Sequence, residues 1–131
     1  MRPPNWPSLL AATVDEWRHR PFEYGSADCF QFVAEFVRAE TGVDYRDRFP
    51  RYTSQLQAAR ILKRYDGVGG IITSVLGSSK PILLACRGDL VAGDFGAGMT
   101  AGGCLGVHCC SPGPLGLIFR PTTWATYAWS V

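Results

Sequence analysis

Leu9, Leu10, Thr13, Val14 and Trp17 recur at helical spacing near the start of the chain. They predict a first helix from Ser8, a capping residue type, to about Arg18. Pro21 and Gly25 then break the pattern. A second helix is predicted from near Asp28 through Glu40, with Gly42 as its stop. Phe30, Val33, Ala34 and Val37 form its apolar stripe, and Phe32 and Phe36 widen that stripe until little polar face remains. Such a helix belongs at the centre of the fold. Leu56, Ala59, Ile61 and Leu62 predict a third helix over about Ser54 to Tyr65, and Gly69-Gly70 opens a short fourth segment, GIITSVLG. Beyond it the period shortens. Ile82–Ala85, Asp89–Ala92, Leu105–Cys110, Leu115–Phe119 and Ala128–Val131 read as strands separated by Gly, Pro and Ser. Residues 93–103, GDFGAGMTAGG, read as a flexible hairpin connection or a mobile loop. One core is expected to gather Phe30, Val33, Val37, Val91, Val107 and Leu117.

Helices first and strands last in one chain mean an α+β fold. The length of 131 residues fits a single domain over 1–131. Charge follows the same division. Residues 1–66 hold ten Lys/Arg and nine Asp/Glu, whereas residues 67–131 hold three and two. The second half must therefore hide its surface in its own core or against another molecule. A net charge of +2 argues against nucleic acid as a partner. No run of 18 apolar residues suggests a membrane span, and prolines interrupt the N-terminal stretch where a signal peptide needs an unbroken apolar core. The five cysteines are odd in number and lack framework spacing, which favours synthesis in a reducing compartment.

Cys29 carries the most chemical information. It follows a capping residue, Asp28, at the first turn of an apolar helix, where free N–H groups and the helix dipole favour a thiolate. Asp28 opposes that effect by its charge. Two readings stay open from the residues alone: a nucleophile, which would be the most acidic of the five thiols, or a small buried cysteine that fills the helix packing.

The stretch from Trp17 to Phe32, W-x₃-PF-x-YG-x₂-DC-x₂-F, is followed by Gly88-Asp89-Leu90-Val91 and by Leu105-Gly106-Val107. This series resembles the NlpC-type papain-like cell-wall peptidases. It is more similar still to small phage and prophage tail proteins of that superfamily, which share the later Gly116-Leu117 and the ending Ala128-Trp129-Ser130-Val131. The resemblance implies a papain-like domain: N-terminal helices packed on a C-terminal antiparallel sheet of about five strands, with Cys29 as nucleophile. In active members a histidine opens the third element and serves as base. The matching position here is Cys104, and a thiol is a poor base for another thiol of similar intrinsic pKa. His108 is the weak candidate for the base, on the same strand face as Cys104 but displaced along it. His19 lies between Arg18 and Arg20 and matches no catalytic position. Cys104, His108, Cys109 and Cys110 lack the paired turns of a structural zinc site, and no cofactor motif is present. Neither a metal nor a cofactor is expected.

The resemblance therefore implies a phage or prophage tail-tip (baseplate) component with a degenerate peptidase fold. Such a protein would be made in the bacterial host cytoplasm and carried in the virion, with other tail-tip proteins and peptidoglycan as its partners. The alternatives are an active cysteine endopeptidase that cuts peptidoglycan stem peptides during genome delivery, and a host-encoded amidase or acyltransferase.

Overall fold

A computed structural model describes residues 2–96 and 98–131. Four helices precede an antiparallel sheet: α1 (Trp6–Trp17), α2 (Cys29–Thr41), α3 (Gln55–Tyr65) and α4 (Gly67–Leu76). The strands are β1 (Lys80–Pro81), β2 (Leu90–Asp94), β3 (Met99–Cys104), β4 (His108–Gly113), β5 (Gly116–Pro121) and β6 (Tyr127–Trp129). Their order across the sheet is β1-β6-β2-β3-β4-β5, and all neighbours are antiparallel. The α+β layout expected from the sequence is present, with six strands in place of five.

The central helix is α2. Asp28 caps it, Gly42 ends it in the left-handed conformation at φ 78°, and Phe30, Phe32, Val33, Phe36 and Val37 are all buried. It packs against α1 on one side, where Trp17 meets Phe32 edge-on at 5.4 Å, and against β3 on the other. Contact with β3 explains an unusual strand sequence, MTAGGC. A Cβ on Gly103 would fall 2.5–2.7 Å from the Phe36 ring, and a Cβ on Gly102 would fall 2.2 Å from the Cys110 carbonyl oxygen. These glycines let a helix and a neighbouring strand approach closely. Residues 99–103 are thus paired strand, contrary to the flexible connection expected from their composition; Ala97, also in that stretch, lies outside the described residues.

Strand alternation divides the core. Leu90, Ala92, Ala101, Cys110 and Trp129 face the helices, while Val91, Cys104, Cys109 and Ala128 face a smaller cluster with Phe95 and Ala125 on the opposite side. Val91 therefore leaves the expected single core. Val107 leaves it altogether, because Gly106-Val107 form a hairpin tip and the valine is 80% exposed. Leu117 only flanks the main core. Other boundaries shift for local reasons. Helix α1 starts earlier, with Asn5 as its cap and Pro7 in its first turn, so Ser8 lies inside it. Helix α4 starts at Gly67, directly after Asp66 at φ 62°. Ile82–Leu84 form a 3-10 turn instead of a strand, and Leu83 is 81% exposed.

The far end of α2 buries a carboxyl group. Glu40 is fully inaccessible, with Arg2 Nη2 2.9 Å from Oε1 and Asp89 close by. Gly88, at φ 96°, makes room: a Cβ there would meet Oε1 at 2.5 Å. Burial pushes the Glu40 carboxyl up to about 8; Arg2 opposes the shift and Asp89 adds to it.

Two predictions follow from this packing. Val37→Ala should lower stability by about 1–3 kcal/mol in urea unfolding, whereas Val107→Ala should change it by less than about 0.5 kcal/mol. Equal costs would contradict the assigned burial. Glu40 holds a proton in the folded chain that the unfolded chain releases above its ordinary value of 4.5. Its contribution is thus fully present below that value and is lost as pH rises toward about 8. Glu40→Gln should flatten this fall in thermal unfolding; an unchanged slope would contradict it.

Candidate functional site

The loop from Trp17 to Asp28 fixes the start of α2. Phe22 N–H donates to the Gly113 carbonyl at 3.0 Å, which ties the loop to the β4–β5 hairpin. Gly25 adopts φ 85° against the backbone of Tyr52 and Thr53, a conformation that disfavours side chains. Its N–H donates to Asp28 Oδ2 at 2.8 Å, while Asp28 Oδ1 accepts from Gln31 N–H at 2.9 Å. The buried Asp28 therefore holds the loop with one oxygen and the helix with the other. Phe22 meets Tyr24 edge-on, and Tyr24 lies tilted against Tyr52, with ring centroids 4.9 and 5.8 Å apart. Most of W-x₃-PF-x-YG-x₂-DC-x₂-F thus has a structural reason: aromatic contacts, one left-handed turn and one double cap.

Cys29 sits at the first turn of α2, as expected, but it is buried. The Ala101 backbone N–H and the Tyr52 hydroxyl donate toward its sulfur, and both favour the thiolate. Burial outweighs them, Asp28 adds to it, and the thiol is pushed up to about 11. Burial and the neighbouring Cys29 also raise the Tyr52 hydroxyl. Burial of this kind favours the thiol over the thiolate. The expectation that the helix terminus would make Cys29 the most acidic thiol is reversed by desolvation.

Neither histidine joins this site. His19 is exposed in the turn after α1. His108 is exposed at the start of β4, level with Leu105 in the hairpin, which is four residues along β3 from Ala101. That separation is roughly 13 Å along the strand. The single strand imagined for residues 105–110 does not exist: the chain reverses at Gly106-Val107, so the same-face argument linking His108 to Cys104 fails. Cys104 lies on the sheet face away from α2. Ala101, which cannot accept a proton, occupies the place beside the thiol. Tyr52 was not visible as a site residue. Its sequence signal is only that of an aromatic residue ahead of the Ser54 cap, and contact with Cys29 arises from the fold.

Among the described residues, hollows in the surface include one lined by Leu10, Val14, Arg87 and Leu105 and another lined by Val68, Gly69, Tyr127 and Trp129; Cys29 lines neither. Among the described residues no group of three or more His, Cys, Asp or Glu side chains is placed to hold a metal ion. No helix among them is long and apolar enough to cross a membrane.

The thiol environments predict an order of modification. Cys86, exposed after the 3-10 turn, should alkylate first in the native protein at pH 8, and Cys29 should react only as the fold opens. Peptide mapping after timed alkylation reads the order; rapid native labelling of Cys29 would contradict its burial.

No curated protein matches the chain, and no solved structure matches it. A family model described as "Domain of unknown function (DUF6950)" matches residues 1–131, and the chain belongs to that family.

Proposed function

We propose that the protein is a phage or prophage tail-tip component with a degenerate papain-like, NlpC-type peptidase fold, kept for binding instead of turnover. One observation supports this reading. Cys29 lies at the start of a central helix packed on an antiparallel sheet, as the resemblance implies for a nucleophile, yet Tyr52 and the Ala101 backbone close over it and neither histidine is beside it. Loss of a general base removes orders of magnitude of rate while leaving the scaffold intact. A fold by itself assigns no activity, so the reading rests on this site and on the resemblance of the motifs around it.

The surface of the second half supports a binding role. Leu83, Leu84, Val107, Leu115 and Trp124 are exposed, and Arg120 is the only Lys, Arg, Asp or Glu in residues 105–131. Depletion of charge with exposed apolar and aromatic groups is the composition of an interface core. The partners in this reading are other tail-tip proteins, met after synthesis in the host cytoplasm and carried with the protein in the virion. Peptidoglycan would then be a surface to be crossed or held, not a substrate.

A phage or prophage carrying only Cys29→Ala tests the proposal. Normal tail assembly, normal infectivity and no change in muropeptide release by purified tails are expected. Assembled particles that fail to enter cells, together with lost cleavage of stem peptides, would overturn it in favour of a working endopeptidase.

A further inference from the structure

We infer that Cys104 and Cys109 are a redox pair that closes a reversible cross-strand disulfide at the tip of the β3–β4 hairpin. The two residues are register partners in that hairpin. Cys104 N–H donates to the Asp89 carbonyl at 2.8 Å, and the Cys104 carbonyl accepts from Gly88 N–H at 2.9 Å. Both backbone groups of Cys104 are thus committed toward β2. On the other side of the pair, Leu105 N–H donates to the His108 carbonyl at 2.8 Å. Cys104 and Cys109 therefore form a non-hydrogen-bonded antiparallel pair, in which Cα atoms lie about 4.5 Å apart and the side chains stand closest. That spacing is at the short end of what a disulfide spans.

The side chains share a face as well as a register. Both belong to the small cluster on the sheet side away from α2. Cys104 Sγ lies 3.8 Å from Thr122 Oγ1, and Cys109 Sγ lies 3.9 Å from the Pro121 carbonyl oxygen, so both sulfurs sit under one dipeptide. The other three thiols are placed differently. Cys110 and Cys29 belong to the main core on the helix side, and Cys86 is exposed outside the sheet. The inference does not depend on the function proposed above.

The co-reactant is a small-molecule disulfide such as oxidised glutathione. One protein thiol loses its proton to solvent, and its sulfur attacks the glutathione disulfide, expelling one glutathione thiolate. The second protein thiol likewise loses a proton, attacks the mixed disulfide and expels the other. Two protein thiols are oxidised, and one glutathione disulfide is reduced to two glutathiones. Access comes by lifting the hairpin tip, where Val107 is exposed and two bonds close the site: Thr122 N–H to the Val107 carbonyl at 2.8 Å, and Thr122 Oγ1 to the Gly106 carbonyl at 2.6 Å. The same exchange run backwards by reduced glutathione opens the bridge again, which makes it a reversible pin on the hairpin.

The test equilibrates the full chain carrying Cys86→Ser, which removes the exposed thiol, in glutathione buffers of varied reduced-to-oxidised ratio, a few degrees below its unfolding temperature so that opening does not limit exchange. After acid quench and denaturation, alkylated thiols are counted by intact mass. The expected count falls from four to two as the buffer becomes oxidising, with no glutathione mass added. Adding Cys110→Ser should keep the loss of two thiols. Adding Cys104→Ser or Cys109→Ser should abolish it and instead leave a glutathione adduct on the remaining partner. The oxidised Cys86→Ser chain should also unfold at a higher temperature than its reduced form, a difference absent once Cys104→Ser is added. Four alkylated thiols at every ratio, or an adduct-free loss of two thiols that survives Cys104→Ser, would overturn the inference.

Discussion

The two oxygens of Asp28 hold this structure together. One accepts from Gln31 at the first turn of α2, and the other accepts from Gly25 in the loop that leads there. The apolar stripe of α2 turns one side of the helix inward but does not mark where the helix begins. The double cap does. It sets where α2 begins, and so which of its residues face α1, which face β3, and which lies at the terminus. Cys29 is the residue at that terminus. Once α2 is placed, Phe36 requires glycine at position 103, and the sheet closes on the helix at a distance only that glycine allows.

The same packing decides the chemistry. A helix N-terminus favours a thiolate when it opens to water. Here the terminus is buried beneath Tyr52 and the β3 backbone, and desolvation exceeds the help from Ala101 N–H, the Tyr52 hydroxyl and the N–H of Cys29 itself. The charge of Asp28 acts in the same direction as burial. The cap that fixes α2 therefore also holds its first cysteine in the thiol form. Structural strength and nucleophile activation compete at this one position, and the structural demand prevails.

Much of this was legible in the sequence where a residue acts locally. The Asp28 cap, the Gly42 stop and the Ser54 cap are short-range devices, and the helices they bound match the expected ones closely. The sheet was less legible. MTAGGC has the composition of a loop, and it is a strand because Phe36 and the β4 backbone press on its glycines from elsewhere in the chain. ILL at 82–84 has the composition of a strand but forms a 3-10 turn, beside one of only two paired residues on β1. The face assignment of His108 failed for a related reason. One unrecognised reversal at Gly106-Val107 exchanges a strand interior for a hairpin tip, and every side-chain direction beyond it changes. The desolvation of Cys29 likewise depends on Tyr52 and Ala101, which are distant in sequence and carry no pattern that points to it.

Cys29 is buried at the first turn of α2. Its protonation can be read directly from the ¹³Cβ chemical shift of a variant in which the other four cysteines are serine or alanine, provided that the variant keeps the wild-type fold. A thiol shift through neutral pH is expected, with titration only near 11. A thiolate shift at pH 7 in the folded protein would contradict it and would restore Cys29 as an activated nucleophile.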